Sequence, residues 1–244
     1  MRPTNSDPCL YTDSHDKLTF VLLYVDDILF VFRNAVRVAE IKKGLAESFE
    51  LKDMGLAKYC LSLEIDQSDQ SISLCQTGYI DELLICFGMT DCKPVTTPLA
   101  TGTKLTPCKN QVPEAFPYRE LTGALMYLSI GTRPDITHAV SYPSQFNSCY
   151  GKDHWTAAKR VLRYLKGTSK LKLTYSRSEE GLVGFADADW GSDITDRRSY
   201  SGYMFSLSNS AVSWCSKKQK SVALSSTETE YMSLSDAAKE AIFV

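Results

Sequence analysis

The chain has 244 residues, of which 43% are hydrophobic and 23% are charged, values typical of a soluble globular protein with a sizeable core. Its 27 Lys and Arg against 29 Asp and Glu give a formal net charge of −2, so any polyanion-binding surface has to be local. Eight scattered cysteines and three histidines, without a C-x-x-C pair, argue against a zinc site. The first twenty residues lack a signal-peptide pattern, so we expect a cytoplasmic or nuclear protein that is not secreted and has no membrane partner.

The apolar run from Phe20 to Phe32 is interrupted at its centre by Asp26 and Asp27. Short apolar runs predict buried strands, so this segment predicts two strands joined by a tight turn that carries both aspartates. Adjacent carboxylates between hydrophobic strands are costly unless a cation neutralises them, and hard Mg²⁺ prefers carboxylate oxygens. On these residues alone, the alternative is an ordinary hairpin with a solvated acidic turn.

Periodicity predicts the elements that follow this run. Four apolar residues recur at helical spacing: Val38, Ile41, Leu45 and Phe49. A strand over 59–65 with a short partner at 71–74 is expected next, and then a helix capped by Thr77 that ends at Gly88. Prolines and threonines are concentrated after this helix, which predicts a linker and a subdomain boundary between about 95 and 115.

Three helices are predicted between 118 and 167. The second has Pro134 at its first position, and Pro143 should kink or end it. One side of the third helix carries three cations: Lys159, Arg163 and Lys166. Such a basic stripe suits contacts to a phosphate backbone, and a solvated face of a surface helix is the alternative.

The segment 171–244 predicts three strands followed by a helix. The strands are expected near 183–187, 200–207 and 211–215. Ser225-Ser226-Thr227-Glu228 fits a capping box, which gives Glu228 a structural role at the start of the helix. The cluster Lys217-Lys218-Gln219-Lys220 either touches nucleic acid or forms a charged loop.

Tyr24-Val25-Asp26-Asp27 between hydrophobic strands resembles the catalytic hairpin of reverse transcriptases. Segments along nearly the whole chain resemble the copia-type retrotransposon Pol polyprotein: Leu23 to Leu29, Lys93 to Leu99, Gly131 to Asp135 and Leu162 to Thr168. The β-β-β-α order at the end resembles ribonuclease H. The resemblance implies a mixed α/β (α+β) fold made of a partial reverse-transcriptase palm with the start of the thumb (1–100), a helical thumb or connection region (101–170) and a truncated ribonuclease H-like domain (171–244).

In the same family, the strand pair after the hairpin is the primer grip, which holds the 3′ end of the primer. Copia relatives typically have Leu-Gly where this chain has Leu61-Ser62. Serine is harmless there on an extended strand but is strained if the backbone requires a positive φ.

The resemblance implies an RNA-dependent DNA polymerase with ribonuclease activity on RNA–DNA hybrids, both using two-metal Mg²⁺ catalysis. It assigns metal-binding catalytic carboxylates to Asp26 and Asp27 in the palm and to Asp187 and Glu230 in the ribonuclease. Four residues are assigned to the RNA–DNA hybrid or primer–template: Tyr24, Lys159, Arg163 and Lys166.

The family uses a further palm aspartate from an earlier strand and further ribonuclease aspartates after the first helix. We therefore expect a fragment cut at both ends, an enzyme by family that is inactive as this isolated chain. A non-catalytic nucleic-acid-binding remnant and a transposon-derived interaction protein are the alternatives.

Overall fold

A computed structural model describes residues 1–108 and 116–244, so part of the predicted linker lies outside the described residues. The chain folds as two compact units, 1–60 and 61–244. Its described residues form six α-helices and antiparallel sheets, which confirms the mixed α/β fold class. No helix among them is long and apolar enough to cross a membrane. The predicted subdomain limits at 100 and 170 stay predictions.

The first unit contains an antiparallel sheet in the order β1–β2–β3–β4. These strands are Arg2–Pro3, Leu10–Thr12, Phe20–Tyr24 and Asp27–Val31, and a short strand β5, Tyr59–Cys60, ends the unit. Helix α1, Ala35–Ala46, begins after Asn34, whose side chain accepts hydrogen bonds from two backbone N–H groups. The helix buries Val38 but ends before Phe49, which is exposed rather than part of the predicted face.

The second unit is built on a helical core. Its helices are α2 (Thr77–Cys86), α3 (Tyr118–Gly131), α4 (Thr137–Ser144) and α5 (Lys152–Gly167). Their apolar faces form one cluster that includes Leu121, Leu125, Val161 and Leu165. A 3₁₀ turn at Pro134–Ile136 precedes α4, and Pro143 lies in its last turn, so the proline does end the helix as predicted.

Two sheets flank these helices. One contains β6 (Leu63–Gln67), β7 (Ser71–Cys75) and β8 (Leu173–Ser176), and the other has the order β11–β10–β9, with β9 Val183–Ala188, β10 Tyr200–Leu207 and β11 Ser210–Lys218. The final helix, α6, is Ser226–Phe243. The sequence predicted the last three strands and α6 but missed β8, which pairs with β7 from about a hundred residues away.

Two local predictions were wrong. The expected single strand over 59–65 is broken by a turn at Leu61 and Ser62, where φ is 51° and 60°. Serine therefore occupies a left-handed position that favours glycine. The residue at the N-cap of α2 is Gln76, whereas the hydroxyl of Thr77 donates to the carbonyl of Ser169.

The sheet β9–β10–β11 is covered on both faces. On one face α6 approaches, and its Glu240 accepts hydrogen bonds from Tyr203 (3.2 Å) and Ser213 (2.5 Å). On the other face, the indole N–H of Trp214 donates to the carbonyl of Ser129 in α3 (2.7 Å). These contacts define which side of each strand faces which helix, because strand side chains alternate between the two faces.

Candidate metal and nucleic-acid sites

Asp26 and Asp27 lie at the tip of an antiparallel hairpin. The strand register pairs Leu23 with Ile28 and Tyr24 with Asp27, which leaves Val25 and Asp26 as a two-residue loop. Both aspartates are exposed, and neither carboxylate has an ion pair or hydrogen bond with another described residue. The tip is therefore solvated, which is compatible with an ordinary acidic turn and equally with an open carboxylate site for a metal ion.

The backbone of this tip is strained. Val25 has a φ of 50°, a left-handed value that is unfavourable for a β-branched residue. Strain of this kind is commonly retained at functional sites, where the surrounding structure maintains it. Tyr24 lies opposite Asp27 on the same face of the hairpin and is 55% exposed, so its ring is available to a ligand at the tip.

Cys60 is the titratable neighbour of this hairpin. Partial burial raises the pKa of its thiol, and the negative charge of Asp27 raises it further. The thiol is thus held in its neutral form, which makes it a poor ligand for a hard cation.

The structure does not bring Asp187 and Glu230 to one face of their sheet. Asp187 pairs with Gly202 in β10, and Gly202 pairs with Ser216 in β11. The hydroxyl of Ser216 is 3.3 Å from a ring nitrogen of His138 in α4, so this row of residues faces α4. Glu230 belongs to α6, on the other face, and both carboxylates are in exposed residues. Their shared catalytic role stays a prediction.

Ser233, one turn after Glu230, fixes α6 to the strand that carries Asp187. Its hydroxyl donates to the carbonyl of Asp187 (2.7 Å) and lies 3.1 Å from the carbonyl of Gly202. The helix begins as predicted, because Ser225 accepts from the N–H of Glu228 (3.2 Å). Glu228 in turn accepts from the backbone N–H of Leu224 (2.7 Å), which confirms its structural role.

The basic stripe of α5 mainly holds the preceding chain in place. Arg163 donates to the carbonyl of Lys93 (2.8 Å), and Lys166 donates to the carbonyls of Thr90 and Cys92. The ammonium of Lys159 lies 5.5 Å from the ring centre of Trp155. Two of the three side chains predicted to bind phosphate thus donate to backbone carbonyls. The nucleic-acid role of this stripe stays a prediction.

The lysine cluster near the end of β11 is also engaged. Lys217 pairs with Asp236 (3.2 Å), and Lys218 pairs with Asp193 (2.6 Å). These ion pairs favour a structural role for both lysines.

A buried network around Arg133 was not anticipated from the sequence. The Arg133 side chain is 2% exposed and binds both carboxylate oxygens of Asp135 at 2.8 and 2.7 Å. It also donates to the carbonyl of Thr168 (3.1 Å), and the Tyr164 hydroxyl donates to Asp135 (2.8 Å). Burial raises the pKa of Asp135, but Arg133 outweighs it, so this pKa lies below its usual range. The sequence signal for this network was that Arg133 and Asp135 lie in one segment that resembles the family, and Tyr164 and Thr168 lie in another.

Within 1–108 and 116–244, no three His, Cys, Asp or Glu side chains come together in a way that could hold a metal ion. The carboxylates at the hairpin tip thus form a pair rather than a larger ligand set.

Comparison with known proteins identifies the family. Residues 3–101 match the model of the reverse transcriptase (RNA-dependent DNA polymerase) family. The chain is 42% identical to the Pol polyprotein of transposon TNT 1-94 from Nicotiana tabacum, over 99% of this chain and 19% of that protein. It is 38% identical to the Pol polyprotein of transposon RE2 from Arabidopsis thaliana, over 91% of this chain and 15% of that protein. An uncharacterized mitochondrial protein from Arabidopsis thaliana is 36% identical over 91% of this chain and 92% of its own length.

The hairpin and these matches define a chain of the reverse transcriptase class. Within that class, it belongs to the copia-type retrotransposon Pol polyproteins. The chain spans less than a fifth of the length of the two Pol polyproteins named above. No solved structure matches it.

Proposed function

We propose that this chain contributes to RNA-dependent DNA synthesis and to RNA cleavage in RNA–DNA hybrids during retrotransposon replication. The observation that carries the polymerase part is the hairpin tip, where Asp26 and Asp27 are solvent-exposed and have no ion pair with another described residue, while Tyr24 pairs with Asp27 across the strands. A tip of this kind can approach the end of a bound strand, because nothing on its own hairpin covers the carboxylates.

The residues at the tip fit Mg²⁺. Asp26 and Asp27 offer hard oxygen donors, and both remain accessible to a hydrated ion. A bound Mg²⁺ supplies charge stabilisation to the phosphoryl group that is transferred. The chain's own contribution is to hold the two carboxylates at a fixed strand end and to offer the ring of Tyr24 to a nucleotide. Stacking on an aromatic ring tolerates any base, as a polymerase requires.

The ribonuclease part is proposed for Asp187 and Glu230. Among the described residues, β9 is at the edge of its sheet, and Asp187 and Glu230 are both exposed to solvent. The family motif around Asp187 and Glu230 supports this assignment.

The isolated chain is proposed to be inactive but to bind RNA–DNA hybrid or primer–template weakly. Each candidate site offers two carboxylates, whereas two-metal catalysis needs both ions held in fixed positions. Loss of one electrostatic contact in a catalytic site commonly costs about 100- to 1,000-fold in rate. In the basic stripe, Lys159 is the cation without a hydrogen bond to a backbone carbonyl of the described residues, so it is the member best placed to contact phosphate.

The test compares this chain with a longer Pol chain extended on both sides, in primer-extension and hybrid-cleavage assays with Mg²⁺. We expect activity only in the longer chain, with Asp26→Asn abolishing extension and Asp187→Asn or Glu230→Gln abolishing cleavage. Extension that survives Asp26→Asn would refute the polymerase assignment. Cleavage by the short chain that is lost on Asp187→Asn would refute the proposed inactivity.

A further inference from the structure

The loop of residues 189–199, which joins β9 to β10, is held in one conformation by internal hydrogen bonds. The N–H of Asp189 donates to the carbonyl of Tyr200 (3.1 Å), and the N–H of Gly191 donates to the buried hydroxyl of Ser199 (2.8 Å). The N–H of Arg197 donates to the carbonyl of Asp193 (2.9 Å). Backbone groups of this loop are therefore satisfied within the loop and by the strand next to it.

Asp193 anchors the loop to β11. Its side chain is 1% exposed and accepts from the ammonium of Lys218 at 2.6 Å, as well as from the N–H and the hydroxyl of Thr195. Burial raises the pKa of this carboxyl, but the bonds from Lys218 and Thr195 lower it to about 2, so it stays ionised. Lys218 also pairs with Asp196 (2.9 Å), and Asp196 lies 3.7 Å from Arg198. Two of the loop's three carboxylates, Asp193 and Asp196, thus pair with cations, namely Lys218 of β11 and Arg198 of the loop.

This anchored loop exposes an aromatic ring and an arginine. Trp190 is 61% exposed, whereas Trp155 and Trp214 are partly buried. Arg197 is exposed and has no carboxylate partner among the described residues. Its backbone is left-handed, with a φ of 60°. Its side chain packs against Gly191, where a guanidinium nitrogen lies 3.3 Å from the point that a Cβ atom on Gly191 would occupy. The guanidinium therefore lies against the residue next to Trp190.

We propose that the 189–199 loop binds a single strand of RNA or DNA, with an unpaired base stacked on Trp190 and the adjacent phosphate bound by Arg197. An exposed indole provides a sequence-tolerant stacking surface, and a planar guanidinium suits a phosphate. The remaining loop carboxylate, Asp189, accepts hydrogen bonds from the backbone N–H and the hydroxyl of Ser192. A hydrophobic protein surface would match the indole but would give the guanidinium no anionic partner.

This inference rests on the proposed function in one respect, namely that the ligand is a nucleic acid. It assigns binding to residues outside both the carboxylate pairs and the basic stripe of α5. An ordered loop is suited to this role, because little conformational freedom remains to be lost when a ligand binds.

The test uses the full 244-residue chain and end-labelled 12-nucleotide strands of DNA and RNA at low salt, with a blunt RNA–DNA hybrid as a third ligand. Binding is followed by anisotropy and by quenching of tryptophan fluorescence. We expect both single strands to quench, and Trp190→Phe to remove most of the quenching while retaining most of the affinity. Trp190→Ala and Arg197→Gly should each weaken single-strand binding about tenfold.

The variants are chosen so that folding and binding can be separated. Glycine suits the left-handed backbone at 197, so Arg197→Gly removes the guanidinium without adding strain. It should lower the slope of log affinity against log salt by roughly one phosphate contact. Arg177→Ala removes an exposed arginine at the end of β8 and serves as the matched control, with an expected change under twofold in affinity.

Unchanged single-strand affinity in both Trp190→Ala and Arg197→Gly would overturn this inference and leave the proposed function standing. Equal losses on the single strands and the blunt hybrid would show duplex-backbone binding and overturn the stacking role. Failure of the chain to bind any of the three ligands would overturn it as well. The proposed function is judged separately, by extension and cleavage in the longer Pol chain.

Discussion

Replacing Arg133 by methionine should strongly destabilise the second unit. The guanidinium is buried, and it makes two bonds to Asp135 and two to Thr168. Methionine fills much of the same volume but leaves Asp135 with the Tyr164 hydroxyl as its main remaining side-chain partner. The substitution therefore removes the charge and the hydrogen bonds while it keeps most of the packing, so the measured loss of stability reports mainly on the former.

Removing one partner of a buried ion pair usually costs about 3–5 kcal/mol. The Asp135 side chain keeps 31% exposure, so water compensates part of the loss and we expect about 3 kcal/mol. In a unit of this size, that corresponds to a melting temperature lower by roughly 6–12 °C. The measurement is urea unfolding at pH 7 followed by far-UV circular dichroism, with thermal unfolding as a second readout.

Two further variants test the cause. Arg163→Met removes a partly exposed arginine whose side chain bonds one carbonyl, and it should cost no more than about 1.5 kcal/mol. The double variant Arg133→Met with Asp135→Asn should be less destabilised than the sum of the single variants, because no unpaired carboxylate remains. A cost below about 1 kcal/mol for Arg133→Met, or strict additivity in the double variant, would refute this account of the network.

The remaining predictions concern a turn, a carboxylate and a helix cap. Ser62→Gly should stabilise the chain by about 1 kcal/mol in urea unfolding, since the serine has a φ of 60°; a loss of stability would contradict the strain. The pKa of Asp193, lowered to about 2 by Lys218 despite burial, predicts stability that is complete above about pH 4 and is lost as pH falls toward 2. Asp193→Asn should flatten that acid limb, and an unchanged profile would argue against the ion pair. Glu228→Ala should cost about 1 kcal/mol against a negligible cost for Thr227→Ala, measured by thermal unfolding.

The sequence was sufficient for features that depend on neighbouring residues. The hairpin at Asp26 and Asp27 follows from two apolar runs and the turn between them, and its register confirms it. Pro143 ends α4 because a proline cannot donate the helical hydrogen bond, whatever surrounds it. The cap of α6 likewise needs only Ser225 and Glu228. In each case, the interacting groups are a few residues apart.

Only the tertiary structure decided which distant groups meet. The sequence placed Lys166 on a basic face, but the carbonyls that it binds come from a segment more than seventy residues earlier. The sequence predicted correctly that Asp187 lies on a strand and Glu230 on a helix. Whether Asp187 faces α4 or α6 depends on the strand register and on which helix covers each face of the sheet. Arg133 and Thr168 meet only because α3 and α5 pack together, and the free energy of burying their apolar faces sets that distance. Local propensity contains no information on these long-range pairings.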